Sequence, residues 1–406
     1  MLSEFKLFFM FYNKYFFVFL LVFIFFSSCS SKNSKTIIKK DEKPIVILAS
    51  NFLEFLNSYP RNNINENQVK NFIEINEIVT KQIEKPYVNE NILIESLKFL
   101  VPNENLGIYQ IKSFESLYLL NKITLMHLLM GNPNKARVST MQTINRMELI
   151  NDFYKKEQEN LDELLSTPIS SLKKSIYLKS TKKRFENLNY DNNKRFANYL
   201  NGLVFEINNE KNLSDFAYEA AGFKNGKKSK NEVIIITEYG EIEPIQNETL
   251  IFDDGRYIFS MNIPYIERVR KNFDTFDKDN CKQFFVEDYN LKLASQLDHE
   301  MNKFLVRSFI KLGLQSYLIL SLDELDDSGI LSSIASLFFL FGNKVDIRHW
   351  SNIPSHLSIC RFEAVDDHIN IKLNKMNKNI KVYDGINLVY INRSNKNAAI
   401  KTVVYN

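Results

Sequence analysis

The stretch from Lys6 to Ser30 constrains this chain more than any other. Lys6 and Lys14 precede an apolar run from Tyr15 to Phe26, and the run closes on Phe26-Ser27-Ser28-Cys29. A basic region, a short apolar segment and small residues in that order read as a bacterial secretory signal. The apolar run is 12 residues long, against the ~20 that a spanning helix needs. Leu7 to Tyr12 adds a second apolar patch beyond Asn13 and Lys14, so an uncleaved N-terminal anchor is the alternative.

A Cys placed directly after the small residues resembles a lipoprotein signal, in which the thiol is acylated and becomes the new N-terminus. Residues 1–28 are then the signal peptide and Cys29 the lipidation site. Two or three acyl chains hold a protein on a bilayer far more firmly than one, at ~0.8 kcal/mol per buried methylene. Ser30 to Lys35 has no apolar periodicity, and residues 29–44 read as a polar tether. Phe26 departs from the Leu usual at its position. Ser30 is not the Asp that commonly retains lipoproteins at the inner membrane, which points to the outer one.

The rest of the chain is long enough for two domains and ordinary in apolar content. The net charge is +4, with Lys and Glu mixed along the sequence. A nucleic-acid partner would need a clustered basic face, and none is present. Of the three cysteines, Cys281 and Cys360 are left after Cys29. An exported compartment could oxidise them, but spacing does not fix whether they pair, and two free thiols are the expectation.

Residues 45–225 read as helical. Phe114 to Met130 carries Leu117, Leu120, Leu125 and Leu128 at helical spacing. Gly131-Asn132-Pro133-Asn134 is a stop and turn, and Lys135 to Leu164 forms the returning helix. The Gly131 to Ala136 spacing is that of a tetratricopeptide hairpin, in which a small residue lets two helices approach. A weaker unit spans Phe196 to Ala221, with Ala217 and Ala220 in the small positions. The 34-residue period is not sustained, so an irregular helical bundle stays open beside a short tetratricopeptide-like stack. Phe223 to Asn231 is a basic linker.

Residues 232–406 read as a mixed α/β domain, making the fold class α+β. Val233 to Ile236 is a β-branched buried strand. Turns follow at Gly240 and Asp253-Asp254-Gly255, and a strand ends before Pro264. A helix is expected from Val286 to Leu322, and a second one, buried in the core, from Gly329 to Phe341. Strands then dominate: 357–362, 369–373, 380–383, 388–392 and 400–405.

This order resembles a family of poorly characterised bacterial lipoproteins with a tetratricopeptide-like first half and a mixed second half. The likeness rests on Gly131-Asn132-Pro133-Asn134-Lys135-Ala136-Arg137, on Val233 to Gly240 with Pro244 behind it, on Ile263-Pro264-Tyr265, and most of all on Asp346 to Pro354. It implies a fold and an envelope location. It supplies no catalytic residue. Within Asp346–Pro354, Asp346 and Arg348 can pair, Trp350 is the single Trp and would bury a large area, and Pro354 starts a strand. The segment is expected to be a structural corner, with a partner or ligand site built from Asp346, Arg348, His349, Trp350 and Pro354 as the sharper reading.

Other chemistry lacks its pattern. His127 sits on an apolar helix, and Asp298-His299-Glu300 has no second His one turn on. His356 and Cys360 share a strand face without paired ligands. There is no nucleophile elbow and no phosphate loop, and the acidic pairs Asp253-Asp254, Asp326-Asp327 and Asp366-Asp367 lie at turns. No metal and no cofactor are expected. The leading expectation is a lipid-anchored, non-enzymatic docking or assembly factor for another envelope protein, engaged through the helical domain. The alternatives are an enzyme acting on an envelope polymer or lipid, and a surface-exposed ligand-binding lipoprotein.

Overall fold

The computed structural model describes residues 66–84, 111–165, 194–223, 230–253, 258–266, 281, 283–325, 328–342, 345–373, 376–393 and 399–405. The signal segment, Cys29, the tether, the basic linker at 224–229 and the parts 45–65, 85–110 and 166–193 of the region expected to be helical lie outside the described residues. The structure is α+β. Five helices come first: α1 Glu66–Glu84, α2 Ser113–Leu129, α3 Pro133–Leu165, α4 Arg195–Ile207 and α5 Lys211–Ala220. Strands β1 Asn231–Tyr239, β2 Ile245–Asp253, β3 Ile258–Ile266 and β4 Gln283–Asp288 follow. Helices α6 Tyr289–Leu325 and α7 Ile330–Gly342 precede β5 His356–Glu363, β6 His368–Leu373, β7 Met376–Lys381, β8 Gly385–Arg393 and β9 Ala399–Tyr405.

Two helical hairpins close with the same local chemistry. At the end of α2, Gly131 N–H donates to Leu128 O and Asn132 N–H to His127 O, which satisfies carbonyls the helix leaves open. At the end of α4, Asn209 and Glu210 repeat this onto Glu206 O and Phe205 O. Five residues beyond each turn the returning helix places a small buried residue, Ala136 in α3 and Ser214 in α5. Ser214 Oγ donates to Gly202 O at 2.9 Å. The expected small contact at Ala220 is instead exposed, because the α4–α5 approach is made one turn earlier.

The main sheet has the order β4-β5-β1-β8-β9. β1 pairs antiparallel with β5 and parallel with β8. Alternation puts Ile234 and Ile236 of β1, Leu357 and Ile359 of β5, and Leu388 and Tyr390 of β8 on one face. They share a single core with Leu119, Leu120, Ile123, Tyr199, Leu200 and Leu203 of α2 and α4. The core therefore runs across the 225/232 boundary. The other face (Val233, Ile235, Cys360, Val389 and Ile391) is covered by Ile371 and Ile380 of the β6–β7 hairpin. Burial on both faces explains the unbroken Val-Ile-Ile-Ile run of β1.

Four expectations change. The strand expected at 380–383 is β7, Met376–Lys381, its register set by pairing with β6. Val286 lies in β4, and the long helix begins at Tyr289, where Asp288 Oδ1 accepts the Leu291 N–H at 2.9 Å. The steps of three and four hold from Tyr289 onward as a helix, and only Val286, at the edge of that pattern, joins Phe284 and Phe285 in a strand beside β5. Pro264 lies inside β3 rather than after a strand, tolerated because, among the described residues, β3 pairs with β2 alone. The helix at 330–342 is only half buried: it packs Ala335 and Phe339 inward and leaves Ile330, Leu331, Ile334 and Leu337 exposed.

Candidate functional site

The segment Asp346 to Ser355 is a strap between α7 and β5, and most of the polar groups that the sequence reading singled out in it bond to the fold, while His349 Nε2 is buried without a hydrogen-bond partner among the described residues. Arg348 forks onto Asp346, with Nε–Oδ1 at 2.8 Å and Nη2–Oδ2 at 2.7 Å. The Arg348 backbone N–H also donates to Asp346 Oδ1 at 3.0 Å. Trp350 is 2% exposed, and its backbone N–H donates to Glu115 Oε1 at 2.9 Å. Glu115 Oε2 accepts the Lys112 N–H at 2.8 Å. One buried carboxylate thus caps the first turn of α2 and holds the strap, at the helix end where the dipole favours negative charge. Lys112 Nζ reaches Arg348 O at 3.1 Å.

His349 Nδ1 lies 3.2 Å from Ile347 O. Burial holds its imidazole below the ordinary pKa. The Ile347 carbonyl works against that shift, and the Lys112 charge adds to it. Pro354 follows Ile353, whose carbonyl accepts the Ile242 N–H at 2.9 Å. Ser355 Oγ donates to Tyr239 O at 2.9 Å. The strap crosses the β1 exit so closely that a Cβ on Gly240 (φ +59°) would stand 2.6 Å from Ser355 Oγ. Only glycine combines that φ with that approach. The sequence-predicted residues Asp346, Arg348, His349, Trp350 and Pro354 are together on one strap, and its bonds make it a corner that locks α2 to the sheet.

Two buried ionic clusters lie between helices and sheet, and the sequence reading did not single them out. Both start from β1, where residues 232, 234, 236 and 238 face the helices in the order Glu-Ile-Ile-Glu. Glu238 receives Lys122 Nζ of α2 at 2.8 and 2.7 Å. Lys122 also donates to Tyr390 Oη of β8 at 2.6 Å. The side chains are 9% and 3% exposed, and the three Lys122 N–H donors are all engaged.

At the other end of β1, Arg361 of β5 forks onto Glu206 of α4, with both bonds at 2.9 Å. It also bonds Glu232. Tyr218 Oη of α5 accepts from Arg361 Nη1 and donates to Glu206 Oε2 at 2.8 Å. Burial works against the Arg361 charge. The Tyr218 hydroxyl and the Glu206 carboxylate outweigh it, so the guanidinium is held more firmly protonated than usual. Burial raises the Tyr218 phenol well above its ordinary range, which keeps it a donor.

The expectation of two free thiols is overturned. Cys281, two residues before β4, is disulfide-bonded to Cys360 of β5 with a Cα–Cα distance of 5.3 Å. Adjacent strands bring the two within bonding reach across 79 residues of sequence, a proximity that spacing alone does not reveal. His356, on the same face as Cys360, lies 3.3 Å from Asp288 Oδ2. His127 is buried in α2, and burial, aided by Lys135, lowers its pKa. Among the described residues no group of His, Cys, Asp and Glu is arranged to hold a metal.

A periodic Glu-x-x-x-x-x-Glu on a buried strand was the available signal for both clusters: two acids on the core side of an apolar run demand cations from elsewhere. Which cations answer is set by tertiary packing. In comparisons with known proteins, no family model, no curated protein and no solved structure matches this chain.

Proposed function

We propose that this chain is a lipid-anchored protein of the bacterial cell envelope, held through Cys29 at the outer membrane, that docks or assembles another envelope protein without catalysing a reaction. The Cys281–Cys360 disulfide supports export, because such bonds persist in oxidising compartments. The hairpins α2–α3 and α4–α5 are tetratricopeptide-like in their turns and small contacts. Their inner helices differ from a free stack in one respect: α2 and α4 pack on the chain's own sheet. The surface normally offered to a peptide is therefore filled internally, and docking falls to an outer face.

The observation that carries the reading is the α6–α7 hairpin. Its inner side includes Lys311, Gln315, Ser332 and Ser336, while Tyr317, Leu320, Ile330, Ile334 and Leu337 are exposed. Apolar surface turned outward over buried polar residues marks an interaction face. The test is a photo-crosslinking residue at position 334 in living cells, beside metabolic labelling with a fatty acid and a Cys29→Ala control. The expected result is label lost in the control and one specific envelope-protein adduct formed by the lipidated chain. A chain that takes no label, or forms no adduct, refutes the proposal.

A further inference from the structure

We infer that the α6–α7 face takes a cationic amphipathic helix of its partner protein; this rests on the docking reading above. The face is a stripe on each helix. On α6, Gly313, Tyr317, Leu320 and Glu324 follow one another at steps of four and three, and all are exposed. On α7, Ile330, Ile334 and Leu337 do the same, at 60%, 47% and 52% exposure. Ile258 of β3 adds to it at 41%.

Isolated exposed apolar residues are ordinary. Here the inward groups fix the orientation that turns the stripe outward. Ser336 Oγ donates to Ile258 O at 3.0 Å, and Ser332 Oγ to Asp323 Oδ1 at 3.0 Å. Ser260 Oγ of β3 donates to Leu340 O at 3.2 Å. Rotating α7 to bury its isoleucines would break these bonds.

Charge selects the occupant. From Leu312 to Asn343 the sequence holds Asp323, Glu324, Asp326 and Asp327 and no Lys or Arg, although Lys and Arg outnumber Asp and Glu in the whole chain, 52 to 48. Glu324 continues the Tyr317–Leu320 stripe, so acid and apolar groups share one surface. An anionic bilayer surface would be repelled, since lipid recognition of this kind uses Lys and Arg. A second copy would set one Glu324-bearing stripe against another. A helix with apolar anchors at i, i+3 or i+4 and i+7, flanked by Lys or Arg, complements both the stripe and its charge.

The test uses the full chain in zwitterionic phosphatidylcholine nanodiscs and labelled peptides read by anisotropy, with empty nanodiscs subtracted. A Leu/Lys amphipathic helix is compared with a Leu/Glu helix of the same pattern. The protein variants are Ile330→Ser/Ile334→Ser/Leu337→Ser and Glu324→Lys. Their exposed positions leave the fold in place, which an unchanged thermal midpoint checks. The expected result is about tenfold tighter binding of the Leu/Lys peptide than of the Leu/Glu one, a loss of about tenfold in the triple variant, and a smaller, salt-sensitive loss in Glu324→Lys.

Equal binding of the two peptides, an unchanged triple variant, face-dependent flotation with phosphatidylglycerol vesicles, or face-dependent dimerisation in sedimentation would each overturn the inference. If the peptides fail while position 334 still crosslinks an envelope protein in cells, the cationic-helix inference falls and the docking reading stands. Loss of the crosslink as well removes both.

Discussion

Replacing Lys122 by Met gives the sharpest test of how the helices are held to the sheet. Lys122 and Glu238 are 9% and 3% exposed and bonded at 2.7 Å, so the substitution leaves Glu238 buried with only Tyr390 and the more distant Tyr118 as donors. Removing one partner of a buried ion pair costs about 3–5 kcal/mol, because the remaining charge keeps its desolvation penalty and loses its partner. Native proteins have only about 5–15 kcal/mol in total. At roughly 2 °C per kcal/mol for a chain of this size, the midpoint should fall by about 6–10 °C. The double variant Lys122→Met/Glu238→Leu removes both charges and leaves volumes close to native, so it should recover most of the loss. Apolar replacement of a buried pair is often neutral. Urea unfolding of the two single variants and the double gives the coupling directly, with an expected value above ~2 kcal/mol. A Lys122→Met cost below ~1 kcal/mol, or a double variant no better than the singles, would refute the reasoning.

Gly202→Ala should destabilise by about 1–3 kcal/mol, since a Cβ there would stand 2.8 Å from Tyr218 Cδ1 and would push the ring off the Arg361–Glu206 cluster; an unchanged urea midpoint contradicts this. Reducing Cys281–Cys360 releases a closed segment of 79 residues and should cost between about 2 and 4.5 kcal/mol, read as a drop in thermal midpoint with reductant that a Cys281→Ser/Cys360→Ser variant no longer shows. His349 and His127 have folded-state pKa values below their unfolded ones, chiefly through burial. The unfolded chain therefore binds more protons at low pH, and stability is full above about pH 6.5 and declines as pH falls below it. His349→Asn should flatten that decline between pH 7 and 5, and an unaltered slope would show that His349 takes no part in it.

The elements were legible where one surface decides them. The helix over 114–130 and its return followed from periodicity and the Gly131 stop, and the β1 run from β-branching on a strand buried twice over. The strands at 356–363, 368–373, 385–393 and 399–405 followed from alternation between Asn and Gly turns, whereas β7 lies at Met376–Lys381 and not at 380–383. Where two periods fit the same residues, as at 284–288, pairing with β5 decided, and pairing is not written in the local sequence. The burial of helix α7 was overestimated for a related reason, although its position was right. Hydrophobicity all round a helix reads as burial only if neighbours cover every side, and here β3 and α6 cover one side alone.

The site divides in the same way. Asp346, Arg348 and Trp350 stood out because rare residue types crowd one short strap, and the Asp346–Arg348 fork needs only two residues of separation. Their real counterparts, Glu115 and Lys112, lie more than 230 positions away. The clusters on Glu238 and Glu232 likewise draw cations from α2 and β5, at separations of 116 and 129. Except for Arg361–Glu232, which ties β5 to β1 within the sheet, these bonds join the helical half to the sheet or to the strap that leads into it. A sequence read as two domains in succession hides the interface between them. That interface uses the charged residues that would otherwise look catalytic, and the bonding capacity of Lys122, Arg361 and Glu115 is spent on cohesion. The apolar side of α6–α7 that carries Glu324 is turned outward instead, so binding specificity should respond to Ile334 and Glu324, whereas substitutions at Arg361 or Trp350 should alter stability first and binding only through it.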